Sequence, residues 1–464
     1  MMRAVLAILA LLAMTITPSQ AQPVEGFADL AERLSPAVVN ISTAQTVARN
    51  DGLPTFPPGS PLERFNDLLG DGPRITGSLG SGFIIDASGL VVTNNHVIDD
   101  ADEVEVTLSD GRTLAAEIIG RDAATDLALL RVQTREPLPA VNWADSDAAR
   151  VGDWVIAIGN PFGLGGSLSA GVISARGREI GGRYDDYIQT DVAINRGNSG
   201  GPMFDMDGDV VGVNTAIYSP TGTSVGISFS IPSNIAHGVI QQLLEFGETR
   251  RGWLGVNVQT VDADMAVALG LGSPRGALVS QVNSEGPAAA AGMQVGDLIL
   301  AFDGRPVPDD RRLPRIVAES AVGARVNVDI LRRGEPLVLE VEIARLEEED
   351  GGAQAPSGLP NLGEDSAFHA GLLGLTLEPL NEALRRRWRI HPDADGLVVT
   401  GVDPSSDASG KVREGDVVEE IAWTSVESLD QARQIVEEAA GSANAPVLLT
   451  LNRAGQFIFQ TVRP

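Results

Sequence analysis

The sequence predicts a mainly β domain in the first half of the chain, followed by two copies of a small α+β module. Over residues 37–230, short β-branched runs such as VVNIST and WVIAIG alternate with Gly, Asp and Ser turns. Strands at such regular spacing favour an all-β barrel or a pair of sandwiches over βαβ units. The two copies stay in register, since Leu254 and Leu373 are 119 residues apart and Gly276 and Gly396 are 120 apart. A repeat that holds over a whole domain length predicts two modules of one kind.

Turns and one helix complete the predicted β domain. DASG and SDGR predict hairpin turns, and Asp207-Gly208 predicts the tip of another hairpin. Residues 46–78 interrupt the strand pattern with Pro, Gly and Asp, which indicates a long surface loop. The run IPSNIAHGVIQQLLEFGE predicts a helix with Ser233 as its N-cap, and we expect this helix to close the domain.

The first 21 residues have the pattern of an export signal. Arg3 supplies a positive charge, Ala4 to Ile16 form an apolar run too short to span a membrane, and Ser19-Gln20-Ala21 is a small-x-small cleavage site. We therefore expect an exported protein that is cleaved near Ala21, with an uncleaved anchor as the alternative. No later segment has the ~18 unbroken apolar residues of a membrane span, so none is predicted in the mature chain.

Charge and composition exclude several classes of function. The chain has 62 acidic and 34 basic residues, a net charge of −28, which argues against nucleic-acid binding because counterion release needs clustered Lys and Arg. There is no cysteine, there are four histidines, and neither H-E-x-x-H nor the phosphate-binding G-x-x-x-x-G-K-[ST] occurs. We therefore predict no metal and no cofactor.

Ser199 is the candidate nucleophile, in the stretch AINRGNSGGPM. By itself the stretch fits a glycine-rich turn and also the G-x-S-x-G elbow of α/β-hydrolases. The elbow needs a helix after the serine and a histidine downstream, whereas a hairpin with Pro202 near its start follows Ser199. His237 lies on the polar side of the predicted helix, and His369 and His391 lie in or beside the second repeat. This context excludes the elbow.

The order His, Asp, Ser within one β-rich domain indicates a serine nucleophile on an antiparallel β scaffold. His96 follows a predicted strand, Leu90 to Thr93, and is the natural base because the pKa of histidine lies near neutrality. Asp126 opens the apolar run TDLALLRV, where a carboxylate can be partly buried and orient the imidazole. Other aspartates compete for this role, with Asp191 ranked second: Asp99, Asp100, Asp122 and Asp191.

The glycines around Ser199 are expected to shape an oxyanion hole. Such a hole needs backbone N–H groups turned toward one point, and glycine permits the turn without a Cβ clash. We predict that the N–H groups of Gly197 and Ser199 are the donors and that Asn198 shapes the loop.

Five stretches closely resemble the HtrA family, also called DegP or Do: GSGFIIDASGLVVTNNHVI, TDLALLRV, AIGNPFGLGGSLSAGVIS, IQTDVAINRGNSGGPM and GVNTAIYSPTGTSVGISFSIPSN. The family comprises exported serine endopeptidases with a chymotrypsin-like double β-barrel and PDZ domains. The resemblance implies that His96 is the general base, that Asp126 orients it and that Ser199 is the nucleophile. It makes Asp191 a supporting residue.

The resemblance also implies domain bounds and a substrate pocket. We expect a signal peptide at 1–21, a protease domain at 22–248, a first PDZ domain at 249–347, a linker at 348–366 and a second PDZ domain at 367–464. Ile194 and Ile217 are expected to line the S1 pocket, where an apolar wall favours cleavage after small aliphatic residues.

The start of the first repeat resembles the carboxylate-binding loop of a PDZ domain, in which successive N–H groups hold a peptide C-terminus. The residues concerned are Arg251, Gly252, Trp253, Leu254, Gly255 and Val256. The second copy has Ala370 where the first has a basic residue, which weakens the prediction of peptide binding there. The basic stretch NEALRRRWRI is interpreted as an interaction face.

The family implies a periplasmic endopeptidase of protein quality control and stress response that degrades unfolded or mislocalised proteins. Its expected partners are unfolded proteins and peptide C-termini, and its expected assembly is a homotrimer or a larger cage of trimers. The alternative function is that of a holdase chaperone or adaptor, with the protease secondary. Nucleic acid is not an expected partner.

Overall fold

The computed structural model describes residues 26–47, 74–76, 79–99, 101–160, 166–182, 184–194, 197–217, 225–347, 371–441 and 445–464. The predicted signal peptide at 1–21 and linker at 348–366 lie outside the described residues, as does most of the predicted loop at 46–78. The chain forms two compact units. The first contains residues up to 180 and 185–248, and the second contains residues 181–184 and 249–464.

Six of the described strands form the first barrel of the first unit, and a seventh, β2, pairs with β1 outside the ring. Their order is β2-β1-β3-β4-β7-β6-β5, and a further pairing of β1 with β5 closes the barrel. The alternating sequence explains why one face of these strands lines the interior. In Glu103–Thr107, Val104 and Val106 point inward and the carboxylates of the two glutamates point outward. The strands are β1 (Val38–Val47), β2 (Arg74–Thr76), β3 (Leu79–Asp86), β4 (Leu90–Thr93), β5 (Glu103–Thr107), β6 (Thr113–Asp122) and β7 (Leu127–Val132).

Six antiparallel strands form the second barrel, closed in the order β10-β13-β12-β11-β8-β9. The strands are β8 (Trp154–Gly159), β9 (Ser167–Arg178), β10 (Tyr187–Thr190), β11 (Pro202–Phe204), β12 (Val210–Ile217) and β13 (Ser228–Pro232). Among the described residues of the first unit, the helices are α1 (Ala28–Leu34), α2 (Asn95–Ile98) and α3 (Ser233–Phe246), and a 3-10 turn, Ser35–Ala37, follows α1.

The two barrels share an apolar core. In β4, Val91 points into the first barrel while Leu90 and Val92 join a cluster that also contains Ile156 and Ile158 of β8. Both faces of these strands are therefore buried, which explains their nearly continuous apolar sequence.

Helix α3 covers the shared core through Ala236, Ile240 and Leu243. It ends at Gly247, which has the left-handed conformation typical of a helix C-terminus. The expectation that Ser233 is the N-cap is wrong. The cap position is Pro232, and Ser233 is the first helical residue, with its hydroxyl donating to the Ala144 carbonyl at 2.7 Å.

The second unit begins with a five-stranded sheet in the order β15-β16-β17-β19-β20, with β18 paired to β17 and β14 paired to β21. Its strands are β14 (Gly252–Trp253), β15 (Val256–Thr260), β16 (Ala277–Val282), β17 (Leu298–Phe302), β18 (Arg305–Pro306), β19 (Arg325–Arg332), β20 (Glu335–Glu342) and β21 (Ala344–Arg345). Its helices are α4 (Ala263–Ala268), α5 (Pro287–Ala290) and α6 (Arg312–Ala318).

The second repeat has the same strand order, β22-β23-β24-β26-β27, with β25 paired to β24. Its elements are β22 (Leu375–Pro379), α7 (Glu382–Trp388), β23 (Leu397–Val402), β24 (Val417–Ile421), β25 (Thr424–Ser425), α8 (Leu429–Ala440), β26 (Val447–Arg453) and β27 (Gln456–Val462). The prediction of two α+β modules and a mainly β protease domain is therefore confirmed.

A buried ion pair is repeated in both modules. Arg332 forms a two-bond fork with Asp297, with both N–O distances 2.7 Å, and Arg453 forms the same fork with Asp416 at the same distances. Each aspartate side chain is almost completely buried. The hydrogen bond from Arg332 to Asp297 raises the pKa of Arg332, so this guanidinium stays charged.

Candidate active site

His96 and Asp126, both from the first barrel, are in direct hydrogen-bond contact. His96 lies in the short helix α2 that follows β4, and Asp126 directly precedes β7. The Nδ1 atom of His96 is 2.8 Å from Oδ2 of Asp126, and the His96 backbone N–H donates to Oδ1 at 2.9 Å. An ionised carboxylate only accepts hydrogen bonds, so this contact places the ring proton on Nδ1 and leaves Nε2 as the basic nitrogen.

Asp126 has an unusual backbone conformation, with a φ of +57°. Such a conformation costs a non-glycine residue about 1 kcal/mol or more, so surrounding contacts must hold it. The buried Asn94 side chain donates to the Asp126 carbonyl at 2.7 Å, and the Thr215 hydroxyl donates to Oδ2 at 2.5 Å. Both residues thus fix the direction of the carboxylate that holds His96.

The competing aspartates have other partners. Asp99 is 3.5 Å from Arg121, Asp122 accepts a hydrogen bond from Thr125, and Asp191 accepts the Val172 N–H at 2.7 Å. Asp100 lies outside the described residues. The structure therefore brings Asp126 to the imidazole and uses Asp191 to hold the start of the segment after β10 against β9.

Ser199 lies on a tight turn between β10 and β11. Its Oγ donates to the Thr215 carbonyl at 3.4 Å. Within the described part of the chain, no hydrogen bond joins Ser199 to His96. The structure thus joins His96 to Asp126 directly and Ser199 to Asp126 through Thr215. In an enzyme without substrate the hydrogen bond between nucleophile and base is often long and tightens only when substrate binds.

The turn that carries Ser199 depends on glycine. Gly197 and Gly200 have φ values of +101° and +82°. A Cβ atom on Gly200 would lie 2.3 Å from both the Ser81 carbonyl and the Thr93 hydroxyl, so no side chain fits. Gly200 donates to the Asn214 carbonyl at 2.8 Å and Gly201 to the Asn198 carbonyl at 3.0 Å. Among the described residues, the N–H groups of Gly197 and Ser199 donate to no acceptor.

Several side chains of the second barrel near the turn in the sequence are buried or half-buried. Ile194 is buried and Ile217 is half-buried, and both belong to the cluster inside the second barrel. Asn198 is buried against Gly159. Burial, with the charges of Asp185 and Asp126, raises the pKa of Tyr187 to about 12, so this phenol stays neutral at any physiological pH.

The predicted carboxylate-binding loop of the first module leads into β15, which is an edge strand of its sheet. Leu254 is buried, and the carbonyls of Leu254 and Gly255 accept hydrogen bonds from Ala288 and Asn283. Arg251 is buried rather than presented to solvent, and its guanidinium lies 4.8 Å from the centre of the Tyr184 ring. Recognition of a carboxylate by this loop would therefore rely on backbone N–H groups.

The corresponding loop of the second module is closed on itself. Leu373 has a φ of +57°, and the Leu375 N–H donates to the Leu372 carbonyl at 2.9 Å. Ala370 lies outside the described residues. One N–H group that could meet a peptide carboxylate is thus already used inside the loop.

Two of the contributing residues have no signal in the sequence pattern. Thr215 stands in a strand of ordinary composition, and its hydroxyl reaches Asp126 only because β12 closes the second barrel beside the first. Asn94 precedes the candidate base by two positions, but only the structure shows that it holds the carbonyl of Asp126.

The described residues contain neither a cluster of metal ligands nor a membrane-spanning helix. No group of three or more His, Asp or Glu side chains there is placed to hold a metal ion. No helix in the same ranges combines the length and the apolar character needed to cross a bilayer.

The double barrel, the His–Asp pair and the serine turn define a trypsin-like serine peptidase that carries PDZ modules. Models of the trypsin-like peptidase domain and of the PDZ domain match residues 80–213 and 252–343. A protein of Brucella suis described as a probable periplasmic serine endoprotease, DegP-like, is 39% identical over 480 residues, covering 96% of this chain and 90% of its own. The chain belongs to this family of HtrA-type, DegP-like serine endoproteases.

Two further comparisons agree. A Rickettsia conorii protein with the same description is 40% identical over 450 residues, covering 93% of this chain and 88% of its own. The solved structure of the HtrA-type protease AlgW with decapeptide is 39% identical, with a TM-score of 0.58, and covers 70% of this chain and 100% of that one. The predicted family and enzyme class are confirmed.

Proposed function

We propose that the protein is a periplasmic serine endopeptidase of protein quality control that cuts unfolded or mislocalised proteins. The observation that carries this proposal is the His96–Asp126 pair, with an Nδ1–Oδ2 distance of 2.8 Å, beside the glycine turn of Ser199. Export is supported by the leader pattern at 1–21, and the periplasm by the names of the relatives from Brucella suis and Rickettsia conorii.

In the proposed reaction, Ser199 Oγ attacks the carbonyl carbon of the scissile peptide bond. The hydroxyl proton passes to Nε2 of His96, and the imidazolium that forms is stabilised by Asp126 through Nδ1–H. The oxyanion of the tetrahedral intermediate accepts hydrogen bonds from the N–H groups of Gly197 and Ser199. His96 then protonates the leaving amine, and a water molecule activated by His96 releases the acyl group from Ser199.

The substrate class follows from the walls of the site. Ile194 and Ile217 form an apolar S1 pocket, which favours Val, Ile or Ala before the cut. The first module adds the substrate C-terminus to the free edge of β15, with the N–H groups at Leu254 and Gly255 binding its carboxylate. Because the loop at Leu373 is closed on itself, we propose that the second module serves mainly in assembly. We further propose a homotrimer, with larger cages built from it.

The proposal is tested by casein digestion with the wild-type protein and with Ser199→Ala. We expect the substitution to abolish cleavage, because loss of a triad member costs orders of magnitude in turnover. Ser233→Ala is the matched control, since Ser233 is also a buried serine that donates to a backbone carbonyl. Equal rates for wild type and Ser199→Ala would remove the protease proposal.

The same two proteins test the holdase alternative. If Ser199→Ala still prevents aggregation of an unfolded client protein, chaperone activity is independent of cleavage. If the variant gives no protection, the holdase alternative is rejected.

A further inference from the structure

Ser81 of β3 is bonded to the nucleophile turn at two points. Its side chain is completely buried, and its Oγ donates to the Gly197 carbonyl at 2.5 Å. The same oxygen accepts the N–H of Asn160, at the end of β8, at 2.9 Å. The Ser81 backbone N–H donates to the Ser199 carbonyl, also at 2.9 Å. One residue of the first barrel thus holds the turn carried by the second barrel.

These bonds complete a set of three consecutive carbonyls that all accept hydrogen bonds from protein groups. Ser81 Oγ binds the carbonyl of Gly197, the Gly201 N–H binds that of Asn198, and the Ser81 N–H binds that of Ser199. In a trans peptide the N–H points opposite to the carbonyl of the same unit. Fixing the Asn198 carbonyl on the Gly201 N–H therefore aims the Ser199 N–H to the opposite side, and the bonds on either side keep this peptide from turning.

The turn needs such external support because of its composition. Gly197 populates positive and negative φ about equally, so its φ of +101° is not maintained by its own sterics. A hydroxyl is suited to the position, since it donates to one group and accepts from another at the same time. Alanine at position 81 would leave both the Gly197 carbonyl and the Asn160 N–H without this partner.

The local sequence provides the space for Ser81. A Cβ on Gly80 would lie 2.6 Å from Cγ1 of Val97, and a Cβ on Gly82 would lie 2.8 Å from the Val92 carbonyl. Only glycine fits on either side of the serine without displacing these neighbours. Glycine on both sides of Ser81 thus allows β3 to pack closely against Val97 and the Val92 carbonyl.

We propose that Ser81 is a positioning residue for the oxyanion hole. It holds the nucleophile turn in the conformation in which the Ser199 N–H is free to donate to the oxyanion. This inference rests on the proposed function, in which Ser199 is the nucleophile. Ser81 touches no substrate, and it acts through the carbonyls of Gly197 and Ser199.

The test compares Ser81→Ala with wild type and with the control Ser233→Ala, using a peptide substrate and active-site titration. We expect kcat to fall ~10–100-fold, because a misplaced oxyanion donor weakens binding of the transition state. KM is expected to stay within about twofold, since the ground state does not use the hole. The pH dependence of kcat/KM should not change.

A peptide boronate supplies a readout that a general structural defect would not reproduce. Its tetrahedral adduct occupies the oxyanion hole, so its affinity should fall by the same factor as kcat/KM, while affinity for the product peptide stays unchanged. Ser81→Cys keeps a weak donor and should lie between wild type and Ser81→Ala.

Three results would overturn the inference: a kcat within threefold of wild type, a loss confined to KM, or boronate and product affinities that fall together. Titration counts the competent sites, so a partly misfolded preparation still gives a kcat per active site. Cleavage by Ser199→Ala would reject the proposed function itself. Loss of activity in Ser199→Ala but not in Ser81→Ala would reject this inference alone.

Discussion

The conformation of Asp126 shows how a single residue is held against its own preference. Its positive φ turns the carboxylate toward His96, and Asn94 and Thr215 fix the carbonyl and the carboxylate. A hydrogen bond to a charged group contributes about 1.5–3 kcal/mol. The cost of the backbone conformation is of similar size, so neither contact is dispensable.

Removing the hydroxyl of Thr215 should slow cleavage. We expect Thr215→Val to lower kcat about tenfold or more, the equivalent of one hydrogen bond to a charged group, with little change in KM. Thr215→Ser keeps the donor and should retain most of the activity. Steady-state kinetics at neutral pH measure both variants, and equal loss in the two would refute a role for the hydroxyl.

Enlarging the pocket should change which peptide bonds are cut. Ile217 is half-buried and packs at the margin of the cluster inside the second barrel, so Ile217→Ala leaves space while the fully buried residues stay in place. We expect preference before the cut to shift from Val toward Leu and Phe, by about 1–3 kcal/mol in relative kcat/KM. Sequencing the products of a peptide library gives the profile, and an unchanged profile would exclude Ile217 from the pocket wall.

At the residue scale, sequence predicted those groups whose chemistry is visible locally. His96 and Ser199 stand in short, distinctive stretches. The apolar run after Asp126 favours it over Asp191, and the family resemblance adds that Asp191 is a supporting residue. The sequence could not predict the roles of Thr215 and Ser81, because these roles depend on which strands the closed barrels bring together. A buried serine between glycines has the same sequence pattern as a turn.

At the scale of elements, the two modules are built around the same buried fork. Asp297 with Arg332, and Asp416 with Arg453, join the turn before one central strand to the strand beside it. The sequence repeat predicted the modules but not this ion pair, because nothing in the spacing shows that the aspartate and the arginine face each other. The N-cap prediction at Ser233 was wrong by one position, since the helix begins at Ser233 itself, and the local sequence did not show that its hydroxyl bonds the distant Ala144 carbonyl.

Breaking one fork should unfold one module more easily. We expect Asp297→Asn to destabilise the first module by about 3–5 kcal/mol, because the Arg332 charge stays in place without its counter-charge. Urea unfolding of this variant and of Asp416→Asn tests the equivalence of the two forks. Glu342→Gln, which alters an exposed ion pair, is the control and should change stability by less than ~1 kcal/mol.

At the scale of the molecule, the two modules form one body within the second unit. Phe459 of the second module packs in a cluster with Leu278 and Leu298 of the first. Its backbone N–H and carbonyl both bond to the Gln259 side chain, at 3.1 and 2.6 Å. Arg463 reaches Asp264 at 2.5 Å. Shared apolar burial with specific polar contacts is typical of a fixed interface rather than of a flexible tandem.

Disrupting this cluster should separate the modules. We expect Phe459→Ala to cost about 3–5 kcal/mol and to split one cooperative unfolding transition into two. Calorimetry measures the transitions. An exposed substitution on the same strand, Gln456→Ala, should leave a single transition. Separate transitions for the two modules in the wild type, beyond that of the first unit, would show that the interface does not couple the modules.

Acid should weaken the same interface. The hydrogen bond from Arg463 lowers the pKa of Asp264 below the ordinary value of an aspartate. A lowered carboxyl pKa contributes stability that is complete above the unfolded value and lost as the pH falls through the folded value. We therefore expect docking to weaken below about pH 4. Asp264→Asn should remove that part of the pH dependence, as followed by small-angle scattering.

The division of the proposed site between two barrels has a consequence for synthesis. His96, Asp126 and Ser81 come from the first barrel, and Ser199 with Thr215 from the second. A chain interrupted after β7 carries the base without a nucleophile, and a chain whose barrels have not docked carries both without the turn held in place. A nascent or partly folded copy therefore has no assembled site with which to digest itself or its neighbours. The proposed activity arises only when both barrels have folded and docked.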